Sequence, residues 1–266
     1  MELFHLQKYL QDTASTTDVA GVYWSARDMG PSPIGNHHFF TFVYENEEQS
    51  QRIADRGLAE TFSEENDKGV RIYFATLGVS KDKKTEGIVI ESSPKLDRKA
   101  IKEISKKKNT GFFSYDLDFQ GHRIPPELAS PALLSNEELM MAISDRATNF
   151  NNHFNIGDIV KYSLEDENCA CTVNSIMKVL GYSEKVRKEL GEFWGVDWGE
   201  EDLIPDRYFE KVPYIGNKNT KELHAPTCKL AGSIKEDNRI IFDDIEEAIA
   251  QGYNGCHYCL DSYDTD

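Results

Sequence analysis

Asn168-Cys169-Ala170-Cys171-Thr172-Val173-Asn174-Ser175-Ile176-Met177-Lys178-Val179-Leu180-Gly181 reads as one complete helix with both ends marked. Asn168 offers a side-chain oxygen to the opening amides, and Gly181 suits the left-handed residue that commonly ends a helix. Cys169, Val173, Ile176, Met177 and Leu180 recur at helical spacing, so Cys169 is expected on the core side and Cys171 off that face. A thiol in the first turn sits at the positive end of the helix dipole. That position lowers its pKa and favours the nucleophilic thiolate.

Such a thiolate needs a base. The pair His37-His38 stands at the mouth of a β-rich run, His38 to Tyr44, behind the turn-forming Gly35-Asn36. Either imidazole can supply the base, with His37 favoured because His38 begins the apolar run and is expected to pack. Asn46 and Glu91 lie near strand ends as candidates for a third, orienting group, and nothing in the sequence selects one.

The order, an early strand opened by histidine and a late Asn-Cys-x-x-x-x-Asn helix, resembles the circularly permuted papain-like group allied to the NlpC-type amidases. The resemblance covers roughly residues 34–44 and 165–182. It implies a Cys169 nucleophile, a His37 or His38 base, and a thiol hydrolase, amidase, protease or acyltransferase activity on a peptide, amide or acyl bond.

Around these motifs the chain reads as α+β, with helices and strands interleaved. After an amphipathic start, strands are expected at Val22 to Trp24, His38 to Tyr44, Val70 to Leu77, Gly87 to Ile90, Gly111 to Arg123 and Ile159 to Tyr162. Helices are expected at Glu47 to Glu60, Asp97 to Lys107 and from Ser135, besides the one at Asn168. Pro31-Ser32-Pro33-Ile34-Gly35 makes a loop, and Lys81-Asp82-Lys83-Lys84 a solvated turn. Gly191 to Pro213 has no clear periodicity. The domain boundary is placed there, dividing residues 1–207 from 208–266.

The second unit carries two ligand pairs, His224-Ala225-Pro226-Thr227-Cys228 and Cys256-His257-Tyr258-Cys259. A C-x2-C turn aims two thiolates at one metal, and H-x3-C closes the tetrahedron from a second loop. Four protein ligands leave no open position, which is the pattern of structural zinc (Zn2+). Between the pairs lie a strand, Arg239 to Phe242, and a helix capped by Asp243 or Asp244 with Ile245, Ala248 and Ile249 on its apolar face. So small a unit needs a metal to supplement its core. His257, inside the turn, is expected to point away from the metal.

Tyr214 to His224, Cys228, Arg239-Ile240-Ile241-Phe242-Asp243, Glu247-Ala248-Ile249, Gly252-Tyr253 and Cys256-x-x-Cys259 together resemble the Ada-type metal-binding domain over about residues 213–260. That domain is the zinc module of a DNA methyl phosphotriester repair protein and recurs as an appendix on other proteins. There the four ligands are cysteines, and the first accepts the methyl group. Here His224 stands at that position, and a neutral imidazole is not that nucleophile. The resemblance therefore carries the fold and the metal, not the alkyl transfer.

Composition excludes several classes. The 266 residues hold 46 acidic against 30 basic side chains, a net charge of −16, which repels nucleic-acid phosphates. The densest basic run, Lys106-Lys107-Lys108, is short and reads as a solvated helix end. No apolar stretch approaches the ~18–20 residues of a membrane span, and Met1-Glu2-Leu3-Phe4-His5 does not open a signal peptide. Five cysteines, three in metal-type spacing, suit a reducing, cytoplasmic setting. The competing reading of the whole chain is a non-enzymatic adaptor, with protein partners bound through both units, the zinc module included.

Overall fold

The computed structural model describes residues 3–28, 36–54, 61–92, 119–155, 157–163, 168–193, 203–226 and 228–265. Its elements in chain order open with β1 (Leu3–His5), α1 (Leu6–Asp12), α2 (Thr16–Val19), β2 (Gly21–Asp28), β3 (Asn36–Tyr44) and α3 (Glu47–Ala54). Then follow β4 (Phe62–Glu65), β5 (Arg71–Lys81), β6 (Ile88–Ser92), β7 (Phe119–Arg123), α4 (Asn136–Asn155), α5 (Cys169–Val179) and α6 (Glu184–Gly191). The second unit contributes β8 (Tyr214–Asn217), β9 (Glu222–His224), β10 (Arg239–Phe242), α7 (Ile245–Ala250) and β11 (Asn254–Gly255). The protein is thus mixed α+β, with two sheets.

The larger sheet runs β1-β7-β2-β3-β5, antiparallel throughout. Outside β5, β4 pairs with Arg71 to Phe74 and β6 with Leu77 to Lys81, so the two share one edge end to end. Side chains alternate between the faces of a strand. Trp24, Ala26, Phe40, Phe42, Ala75 and Leu77 accordingly join one core, with Leu139, Ile143 and Phe150 of α4 and Val173, Ile176 and Met177 of α5. Tyr23, Phe39, Val43, Ile72 and Phe74 join a second core under Leu6 and Leu10 of α1. With both faces covered, β3 is apolar almost without a break, as its sequence predicts.

The helix at Asn168 forms as its sequence specifies. Asn168 is extended, and its Oδ1 accepts the amides of Ala170 at 2.9 Å and Cys171 at 3.2 Å. At the other end Gly181, at φ +82°, lets its own amide reach the Lys178 carbonyl and that of Tyr182 reach Met177. This pair of bonds is a Schellman ending. One expectation is corrected. Cys171 does not lie off the core face; it is fully buried. The helix is enclosed on nearly every side, and the Ser175 hydroxyl even takes the Ile204 amide at 2.8 Å.

Other expectations shift at their edges. The segment Ile159 to Tyr162 is not a strand: Lys161 makes a single antiparallel bridge to Gly87. Val160 accepts the Ile88 amide at the start of β6, but no ladder continues from there. Helix α3 begins at Glu47 as expected and is described to Ala54; residues 55–60 lie outside the described residues. So do the Pro31–Gly35 loop, the helix expected over Asp97–Lys107 with its lysine run, and the first part of the strand expected from Gly111. Among the described residues no helix is long and apolar enough to cross a membrane.

The boundary expected near residue 208 falls in a short 3-10 turn, Asp206–Phe209, whose Tyr208 and Phe209 pack in the first core. A third core begins at Tyr214 and includes Leu223, Phe242, Ile245, Ala248, Tyr253 and Leu260. It lies under the second sheet, ordered β10-β8-β9-β11. Asp244, not Asp243, caps α7, accepting the Glu247 amide at 3.0 Å. Of the expected apolar face, Ile245 and Ala248 are buried, whereas Ile249 is turned to solvent.

Candidate thiol site and metal centre

The first turn of α5 meets the N-terminal end of β3. There the His38 amide donates to the Cys169 sulfur at 3.3 Å, across 131 residues of sequence. The His37 side chain and the Ala170 amide also hydrogen-bond to that sulfur. Burial is the largest influence on the thiol and raises its pKa. The His37 hydrogen bond and charge, with the two amides, outweigh it and bring the group below the ordinary thiol value. A thiolate here is held by three donors and the start of a helix.

The two histidines part company. His37 bonds to the sulfur and stacks along Phe39, with centroids 5.9 Å apart at 23°. His38 is fully buried, and its ring meets Trp24 and Phe193 edge-on. Its Nδ1 accepts the indole N–H of Trp24 at 3.0 Å. An indole nitrogen only donates, so His38 Nδ1 is the acceptor in this bond. His38 therefore contributes its amide to the sulfur, and its side chain to the core.

Neither polar candidate for a third group fills that place. The Asn46 Oδ1 is engaged at the start of α3, accepting the Gln49 amide at 2.9 Å, and Glu91 is an exposed side chain on β6. A neighbour that sequence reasoning missed is Tyr162. Burial first, and the charge of Cys169 second, raise its phenol to about 12. The only signal would have been its place in a short apolar run, which says nothing of the thiol.

The second cluster gathers His224 at the end of β9, Cys228 in the turn after it, and Cys256 and Cys259 around the turn after β11. One ligand atom from each lies within 4.8 Å of the others. The His224 Nδ1 stands 3.6 Å from the Cys228 sulfur. A tetrahedral metal with bonds of ~2.3 Å to sulfur and ~2.0–2.1 Å to nitrogen would place those atoms about 3.6 Å apart. The other ring nitrogen of His224, Nε2, faces the Glu222 carboxylate at 3.6 Å, the outer-shell partner that metal-bound imidazoles usually have.

Amides support the sulfurs as well: Ala225 donates to Cys259 at 3.4 Å, and Tyr258 to Cys256. Burial first, and then the neighbouring thiols, push Cys259 up to about 12; burial also raises Cys256. Crowded sulfurs that disfavour their own charge are what a divalent cation reverses. This His/Cys3 cluster can hold a metal ion. His257 belongs to a different group, with its Nδ1 3.2 Å from Asp261 and 3.1 Å from Asp264 on the surface.

No protein-family model, curated protein or solved structure matches the chain.

Proposed function

We propose that the chain is a cysteine-dependent hydrolase or acyltransferase of permuted papain-like build, with an Ada-like structural zinc module appended. The observation that carries this reading is the Cys169 sulfur in hydrogen-bond contact with the His37 imidazole at a helix start. In the reaction, His37 holds the thiol proton as imidazolium. The Cys169 thiolate attacks the acyl carbon, and the carbonyl π bond opens to an oxyanion. As the intermediate collapses, the bond to the leaving group breaks and His37 returns the proton to it. A thioester remains, and water or an acceptor alcohol or amine, deprotonated by His37, releases the acyl group and restores the thiol.

The helix-start amides of Ala170 and Cys171 already donate to Asn168 Oδ1. In this reading the oxyanion is met by the His38 amide, which is aimed at the sulfur. The Trp24 bond to His38 then acts by fixing the strand that presents this amide.

Zinc suits the second cluster because three thiolates and one imidazole form a soft, closed, four-coordinate set. His224, Cys228, Cys256 and Cys259 would hold the ion, which supplies folding stability and no open coordination position. Methyl transfer does not follow, since His224 occupies the nucleophile's position in the resemblance.

A second reading, the non-enzymatic adaptor, draws its support from the burial of Cys169, which is 4% exposed. One experiment separates the two. Zinc-loaded protein is incubated with a p-nitrophenyl acyl ester, and modified peptides are located by mass spectrometry. The hydrolase reading expects acylation at Cys169, absent in Cys169→Ala and slowed in His37→Ala. No acylation, or acylation indifferent to His37, favours the adaptor.

A further inference from the structure

A cleft of about 1010 Å³ opens between the C-terminal end of α4 and the metal-bearing turns of the second unit. It lies away from the thiol site and shares no residue with it. Tyr214, Tyr258 and Tyr263 line it, together with Asp261 and the carboxamides of Asn152 and Asn155. Tyr258 is 81% exposed, an unusual position for a large aromatic ring, and its ring contact is edge-on with the exposed His257, centroids 5.6 Å apart.

The charge around this cleft is mainly negative. Residues 213–266 contain ten acidic against five basic side chains. After burial, Tyr214 feels Tyr263 and then Glu246 and Asp244, and Tyr263 feels Glu246 and Asp244, so two carboxylates outside the lining act on tyrosines of the cleft. The last turn of α4, with Asn152 and Asn155, brings the negative end of a helix to the same wall. With zinc bound, three thiolates and one imidazole would add a further net negative charge behind Cys228 and Cys259. Lys229 is the single cation among the described lining residues.

Aromatic faces set among carboxylates recognise cations, since the ring quadrupole and the charges attract the same group. The volume is at the upper end of small-ligand sites and admits a long side chain with its flanking backbone. We infer that the cleft between α4 and the zinc module binds a lysine- or arginine-bearing peptide segment of a partner protein, with Tyr258 and Asp261 as its principal contacts. This site stands or falls independently of the thiol chemistry.

The test uses the full zinc-loaded chain and two fluorescent eight-residue Gly/Ser peptides, one carrying three lysines and the other three glutamates, read by anisotropy. The lysine peptide binds and the glutamate peptide does not. Tyr258→Ala and Asp261→Asn, both at exposed positions, each weaken binding about two- to fivefold, the range of an exposed cation–π or ion contact. Glu184→Gln makes the same charge change at the exposed start of α6 and leaves affinity unchanged, as does Cys169→Ala. Equal losses from Asp261→Asn and Glu184→Gln would reduce the effect to net charge and overturn the inference. So would an absence of binding, or equal binding of the two peptides.

Discussion

Replacing Cys256 by serine removes one ligand from the proposed zinc while leaving the backbone around it in place. The Cys256 amide bonds to the Leu223 carbonyl at 2.8 Å, and its own carbonyl accepts the amides of Cys259 and Leu260. None of these involves the sulfur, and the Tyr258 amide that does donate to it can be accepted by a serine hydroxyl, so the substitution changes chiefly the ligand. A structural zinc contributes roughly 10–16 kcal/mol at neutral pH, and a whole domain is stable by only ~5–15 kcal/mol. Losing the metal therefore removes about as much free energy as the unit possesses. Metal analysis should fall from about one zinc per chain to near none. Hydrogen exchange should show β8 to β11 losing protection, while β2, β3 and β5 keep theirs, because their cores are separate. Full metal content in Cys256→Ser, or ladder amides as protected as before, would refute the reasoning.

Three further outcomes follow from the same geometry. With their pKa values raised, Cys256 and Cys259 carry protons at neutral pH when metal-free, so zinc binding releases them; affinity, and the stability it brings, must grow as pH rises and vanish as pH falls. Calorimetry in buffers of different ionisation enthalpy measures that release, and a proton-neutral binding would contradict it. Asn168→Ala leaves the amides of Ala170 and Cys171 without their acceptor and should cost ~0.5–2 kcal/mol in denaturant unfolding; no change would show that the cap is idle. The proposed zinc module should neither repair methyl phosphotriesters nor bind random duplex DNA at physiological salt, and sub-micromolar binding with a steep salt slope would sink that expectation.

Much of this was legible where the chemistry is local. The Asn168 cap, the Gly181 ending and the paired ligand spacings each involve residues a few positions apart, so their physics is complete in a short window. What depends on partners was not. Leu3–His5 and Asn254–Gly255 are strands only because β7 and β9 lie beside them. The burial of Cys171 comes from a second layer over α5 that helical periodicity alone does not announce. The His37-His38 pair was ambiguous for a similar reason. Adjacent strand residues face opposite ways, and it takes the tertiary contacts to show that the His38 ring meets Trp24 and Phe193 while His37 meets the Cys169 sulfur. Tyr162 comes beside Cys169 through tertiary folding, and no motif marks it.

The measurement that bears most directly on the account is the rate of iodoacetamide alkylation at Cys169 as a function of pH, read by peptide mass spectrometry on native protein. A thiol held below its ordinary value by His37 should react with a midpoint below ~8.5, the usual thiol value, and at a rate that Cys171→Ala leaves unchanged. His37→Ala should move the profile upward, because burial then acts without the imidazolium that offsets it. Alkylation with an ordinary thiol midpoint, or the same profile in the presence and absence of His37, would contradict the activated-thiol claim and leave the adaptor reading in its place.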